Sequence, residues 1–124
     1  MNDDTTFQDR RREPRVTIEN GTAAVLTHNQ VRIGKIIDIG MGGIGFSYIG
    51  DQEGDLTGKS SRIDMLIHNY NFYFEKIPCN IVSDFVVQNN FSLDAKPLKR
   101  CDIQFLELNR SQRAQLEYLI SSQE

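Results

Sequence analysis

The chain has 124 residues, 39% hydrophobic and 25% charged, with a formal net charge of -3. That length makes one domain whose core needs no staples, and the composition excludes disordered and fibrous classes. The acidic balance argues against non-specific nucleic-acid binding by the whole domain. No apolar run approaches the ~20 residues that cross a bilayer, and the N-terminus has no apolar core of a secretory signal.

Residues 1–9 are polar and acidic and are expected to be disordered. "RRREPR" follows at 10–15. Pro14 disfavours helix at Glu13 and cannot continue one, so an extended arm is expected over residues 10–16. From Thr17 the pattern is strand after strand. "TAAVLTH" (22–28) and "VRIGKIIDI" (31–39) flank Asn29-Gln30, a hairpin signal, and "IGFSYI" (44–49) follows a glycine-rich turn. "DQEGDLTGKS" (51–60) is a loop by composition. "RIDMLIH" (62–68) and "FYFEKIPCNIVSDFVVQ" (72–88) are strand-like, joined at Asn69-Tyr70-Asn71, with the aromatics of "NYNFYF" alternating as strand residues. Pro78 cannot donate to a ladder and should mark an edge, a bulge or a bend. "NNFSLDAKPLK" (89–99) is a second loop. "RCDIQFLEL" (100–108) alternates, with Cys101, Ile103 and Phe105 on one face.

The final element changes period. Asn109 and Gln112 spell a capping box, and Leu116, Leu119 and Ile120 form an i, i+3, i+4 stripe, which predicts one amphipathic helix over 109–121. Strands over 17–108 and one terminal helix predict an all-β fold, a small antiparallel barrel, because closing a sheet removes its exposed edges. Cys79 and Cys101 fall in apolar strands without a C-x-x-C pair, and are expected to be buried free thiols. His28 and His68 sit beside asparagines near strand ends, where surface turns are commoner than catalytic bases. No nucleophile is tied to a base by spacing and no metal-ligand spelling occurs, so neither an enzyme nor a metal site is expected.

"IIDIGMGGIG" (36–45) carries Gly40-Met41-Gly42-Gly43-Ile44-Gly45, the spelling G-x-G-x-x-G. A dinucleotide fold requires those glycines to follow a strand and open a helix. "KIIDI" is a strand, but "FSYIG" has no helical period, which rules that fold out. Glycines between two strands supply positive φ at little cost, which accounts for part of the run. Beyond that, they let a ligand phosphate approach the backbone amides. Asp38 at the mouth can accept two parallel hydrogen bonds from a planar edge, and guanine's Watson–Crick edge is one such partner. Guanine's O6 and N7 call for the reverse chemistry, which arginine supplies bidentately. Arg11 and Arg15 fall on the same side of an extended arm, with Cα atoms about 13 Å apart, a span suited to two ends of a dinucleotide.

Arg11-x-x-x-Arg15, then one hairpin, then Asp38-x-Gly40-x-x-Gly43, resembles the PilZ domain family, whose signature is R-x-x-x-R followed by D/N-x-S-x-x-G. The closing "CDIQFLELNRSQRAQLEYLI" is similar to that family's last strand and helix. The resemblance implies a six-stranded antiparallel β-barrel with a C-terminal α-helix and a flexible N-terminal arm. It implies a bacterial, cytoplasmic receptor for the second messenger cyclic di-GMP, with no cofactor besides that ligand. By the same resemblance Arg11 and Arg15 hold guanine edges and phosphates, Asp38 takes guanine N–H groups, and Gly40 and Gly43 admit the ligand to the turn. Arg10 immediately precedes the motif, at a position that in that family influences whether one or two ligand molecules stack in the site. Gly40 stands where the family has serine, so one hydrogen bond to the charged ligand is lost, a cost of about 1.5 to 3 kcal/mol.

The expected partners are cyclic di-GMP and a downstream protein, with no nucleic-acid polymer and no membrane insertion. A monomer or weak dimer is expected. A rival reading is a PilZ-like interaction module that has lost ligand binding, which Gly40 favours and the arginines and Asp38 oppose. A second rival uses "RRREPR" as a basic arm on nucleic acid, but the chain is acidic and lacks an aromatic-basic stripe.

Overall fold

The computed structural model describes residues 15–18, 22–50, 54–88 and 96–123. Residues 1–14, with the expected disorder at 1–9, the first part of the arm and both Arg10 and Arg11, lie outside the described residues, as do 19–21, 51–53 and 89–95.

Among the described residues seven strands run in chain order: β1 (Arg15–Thr17), β2 (Thr22–His28), β3 (Gln30–Gly40), β4 (Gly43–Ile49), β5 (Ser60–Ile67), β6 (Phe72–Gln88) and β7 (Leu98–Phe105). Among the described residues one α-helix, α1 (Arg110–Gln123), follows. The antiparallel order is β3-β2-β5-β6-β7-β4, and the β3–β4 pairing returns to the start, so six strands close a barrel. β1 is an extra strand laid against the last three residues of β3. The end of the expected arm is therefore strand from Arg15 onward.

Alternation fills the barrel. Ile44, Phe46 and Tyr48 of β4 point inward, as do Cys101, Ile103 and Phe105 of β7 and Ile77, Cys79 and Ile81 of β6. Both cysteines are buried free thiols. Burial pushes the Cys79 thiol up to about 11 and the Cys101 thiol further still, so neither is a ready nucleophile.

Several boundaries differ from the sequence expectation. The β2–β3 turn is tighter, with Asn29 alone in left-handed backbone at φ 65° and Gln30 already paired with His28. Tyr70 lies in a single 3-10 turn, His68–Tyr70, rather than in a strand. Its ring stacks on Phe72 and meets Tyr118 of α1 edge-on. Near Pro78 the ladder does bulge: Glu75 and Lys76 oppose Asp64 alone, Lys76 has φ 52°, and its N–H donates to the Asp64 carboxylate at 2.6 Å. β7 begins at Leu98 rather than Arg100, so Lys99 belongs to the barrel wall and not to a loop.

That two-residue shift of the boundary places a charge in the interior. Lys99 is 2% exposed, and its ammonium pairs with Asp84 at 3.3 Å. The pair is compensated locally: Tyr48 donates to Asp84 at 2.6 Å, the Leu56 N–H donates at 3.0 Å, and Lys99 donates to the Gly54 carbonyl. The chain at 54–56 is thus latched to the barrel by buried polar contacts rather than by apolar area alone.

α1 starts as spelled. The Gln112 N–H donates to Asn109 Oδ1 at 2.7 Å, and the Asn109 N–H donates to Gln112 Oε1 at 2.9 Å. Leu116, Leu119 and Ile120 are buried, and the helix packs on β1 and β3. It thereby braces the two strands that carry Arg15 and Asp38. Among the described residues no helix is long and apolar enough to cross a membrane.

Candidate functional site

Alternation alone would turn Asp38 into the core. Ile36 faces inward, and a strict period of two sends Asp38 the same way. The structure inserts a β-bulge between Ile36 and Asp38. The extra residue, Ile37, gives its carbonyl to the Ile18 N–H at 3.0 Å. Asp38 then faces outward, and Ile39 takes the inward place with no exposure. A second bulge, between Ile81 and Ser83 on β6, does the same for Ser83. Bulges re-aim side chains in this way beside functional sites.

The two bulges align a row across four strands on the outer wall. Asp38 faces Gly45, Gly45 faces Asp102, and Asp102 faces Ser83. At one end of the row Arg15 donates to Asp38 Oδ1 at 2.8 Å. From β7, Arg100 Nη2 donates to Asp38 Oδ2 at 3.0 Å and to Asp102 Oδ1 at 2.8 Å. Ser83 donates to Asp102 Oδ2 at 2.9 Å. The four charged side chains are 13–20% exposed, so the pairs are partly desolvated and stronger than ordinary surface pairs. Partial burial by itself raises the Asp38 pKa, but the hydrogen bonds and charges of Arg15 and Arg100 outweigh it and hold the carboxyl below its usual range. The Asp102 hydrogen bonds, ahead of Asp38, push Arg100 higher still, so it stays a cation.

Of the residues singled out in the sequence, Arg15, Asp38, Gly40 and Gly43 lie at this end of β3 and β4. Arg15 and Gly40 are direct partners in the β1–β3 pair. The expected positive φ does not occur in the glycine run: among the described residues Gly58 is the one glycine with positive φ. Close approach is the reason instead. A Cβ on Gly43 would lie 2.0 Å from the Ile103 carbonyl oxygen, so backbone packing requires that glycine. A Cβ on Gly45 would lie 2.3 Å from Arg100 Nη2 and 2.7 Å from Asp102 Oδ1. Gly45 is thus the gap in the row through which Arg100 reaches Asp38.

Sequence reasoning missed Arg100, Asp102, Ser83 and the role of Gly45. The local signal was weak. Arg100 and Asp102 alternate with inward Cys101 and Ile103, which marks them as outward, but nothing local shows that Arg100 meets an aspartate 62 positions away. His28 and His68 take no part in this cluster, and among the described residues no three His, Cys, Asp or Glu side chains are grouped to hold a metal.

A closed six-stranded barrel with an extra N-terminal strand, a bracing C-terminal helix and an ionic cluster on its outer wall defines a class of small all-β domain built around a surface site. The chain belongs to the PilZ domain family, which it matches over residues 9–122. Among solved structures it resembles the PilZ domain with c-di-GMP of YcgR from Escherichia coli: TM-score 0.70, 18% identity, 92% of this chain and 91% of that one. It also resembles MrkH from K. pneumonia in its c-di-GMP complex (TM-score 0.69, 16% identity, 91% of this chain) and in its apo state (TM-score 0.72, 16% identity, 92% of this chain). The chain spans about half of MrkH, 52% and 50% in the two structures. At these identities the likeness is one of fold. Among curated proteins nothing matches the chain.

Proposed function

We propose that this chain is a bacterial, cytoplasmic receptor for cyclic di-GMP, taking the dinucleotide between the arginine arm at 10–16 and the Asp38-x-Gly40-x-x-Gly43 turn. The observation that carries this reading is the meeting of Arg15 and Asp38 at 2.8 Å, because it brings the end of the arm and the carboxylate of the turn into one place. The resemblance to the YcgR PilZ domain with c-di-GMP and to the MrkH–c-di-GMP complex supports it.

The chemistry divides by charge. Asp38 accepts guanine N–H groups, while Arg11 and Arg15 fork onto phosphate or the O6/N7 edge. To do so Arg15 leaves Asp38, exchanging one carboxylate for a phosphate. The described cluster is balanced, two guanidinium groups against two carboxylates, so net attraction for an anion comes from Arg10, Arg11 and Arg12 of the arm. Arg10 stacks on a guanine or meets a second ligand molecule. When the ligand bridges arm and barrel, the arm is ordered over the outer wall, and a downstream protein reads the new surface.

Calorimetric titration with cyclic di-GMP, with cyclic di-AMP and GTP as controls, tests the reading. Saturable heat with cyclic di-GMP alone is expected. No heat and no shift of arm NMR resonances at high-micromolar ligand would reject it. A second reading, an interaction module without ligand, draws on Gly40 and on the fact that each Asp38 oxygen already holds a guanidinium. A folded protein silent to the ligand would favour it.

A further inference from the structure

An arginine carries five N–H donors. On Arg100, Nε and Nη2 are committed: Nε donates to Asp102 at 3.2 Å, and Nη2 divides between Asp102 and Asp38. Nη1 makes no hydrogen bond among the described residues, and the side chain is 20% exposed. One edge of the guanidinium is therefore clamped, by an aspartate that Ser83 holds in turn. The other edge is open beside the Asp38 carboxylate.

Once Arg15 leaves Oδ1, the protein presents a fixed donor beside two acceptors: Arg100, then the two oxygens of Asp38. Guanine's Watson–Crick edge runs acceptor, donor, donor through O6, N1–H and N2–H, which is the complement. Adenine offers a donor at position 6 and an acceptor at position 1, so it would set donor against Arg100 and acceptor against Asp38. Arg100 lies outside both sequence motifs. It reaches this place because Gly45 has no side chain and Asp102 fixes the fork.

We propose that Arg100 is a specificity-determining residue of this site: clamped by Asp102, it donates to the O6 of the guanine whose N1–H and N2–H bind Asp38. This rests on the reading of the chain as a cyclic di-GMP receptor. Arg100 thus supplies a ligand hydrogen bond in a site whose turn has Gly40 where the family has serine.

The test is a cycle in which protein and ligand are each changed at the one contact, by calorimetry on the full chain. The ligands are cyclic di-GMP and its 6-thio analogue, in which a poor acceptor replaces O6 while N1–H and N2–H remain. The proteins are the unsubstituted chain, Arg100→Met, and Gly45→Ala, which displaces the guanidinium without removing its charge. The unsubstituted chain should bind the thio analogue about ten- to a hundred-fold more weakly. Arg100→Met should bind cyclic di-GMP more weakly by a similar factor and should no longer tell the two ligands apart. Gly45→Ala should lose most of the discrimination, and it answers the question even if Arg100→Met fails to fold. Discrimination undiminished in both variants overturns the proposal, as does cyclic di-GMP binding that Arg100→Met leaves unchanged or strengthens. Equal binding of both ligands by the unsubstituted chain overturns the role of Arg100 alone. Binding of neither sinks the receptor reading, and this proposal with it.

Discussion

Arg15 and Asp38 are 23 positions apart and meet at 2.8 Å, because β1 runs antiparallel to the end of β3 with Thr17 opposite Asp38. The last arginine of the arm is thus held by the aspartate of the turn. In the receptor reading a ligand exchanges that bond for its own, and α1 keeps both strands in register while it does so.

Arg15 acts through its planar fork as well as its charge. Arg15→Lys keeps the charge and loses bidentate geometry, so cyclic di-GMP affinity should fall by about tenfold with little change in melting temperature. Arg11→Ala and Arg15→Ala should each cut affinity more than Arg10→Ala. Equal losses from all three in calorimetry would point to diffuse charge attraction.

The two glycines Gly43 and Gly45 should respond differently to the same substitution. Gly43→Ala drives a Cβ into the Ile103 backbone oxygen, which cannot move aside cheaply, and should destabilise the fold by about 1–3 kcal/mol in urea titrations. Gly45→Ala meets the end of the Arg100 side chain, which can rotate away. It should lower the urea midpoint less than Gly43→Ala does, while separating Arg100 from Asp38.

The pH dependence follows from Asp38. Its carboxyl is held below its usual value in the folded chain, so it stabilises the fold above the unfolded pKa of about 3.9. That stability is lost as pH falls through the lower folded value. Asp38→Asn should therefore be less stable than the parent at pH 7 and should approach it at pH 3 and below. Over pH 5–8 Asp38 stays ionised, so ligand affinity should show no step attributable to it. Urea midpoints across the acid range check the first point and calorimetry the second.

Lys99 and Asp84 depend on each other inside the barrel. Lys99→Met leaves a buried carboxylate without its cation and should cost about 3–5 kcal/mol. Protection of the amides at 54–56 from hydrogen exchange should fall with it, because the latch holding Leu56 and Gly54 is made by the same pair.

Much of this molecule was written in short-range pattern. The alternation of β4 and β7, the capping box at Asn109 and Gln112, and the apolar stripe of α1 each state their structure within a few residues, because side-chain period and cap geometry are local properties. Arg15 and Asp38 were legible for the same reason, as residue types at motif spacing. The bulges at Ile37 and Val82 were not. They follow from how distant strands must shift to close the barrel, and each one turns the side chains that follow it to the other face. Tertiary structure alone therefore set Asp38 and Ser83 outward and carried Arg100 across the gap at Gly45 to an aspartate two strands away. Pairing between strands far apart in the chain leaves no periodic trace in either one, so only the closed sheet could decide it.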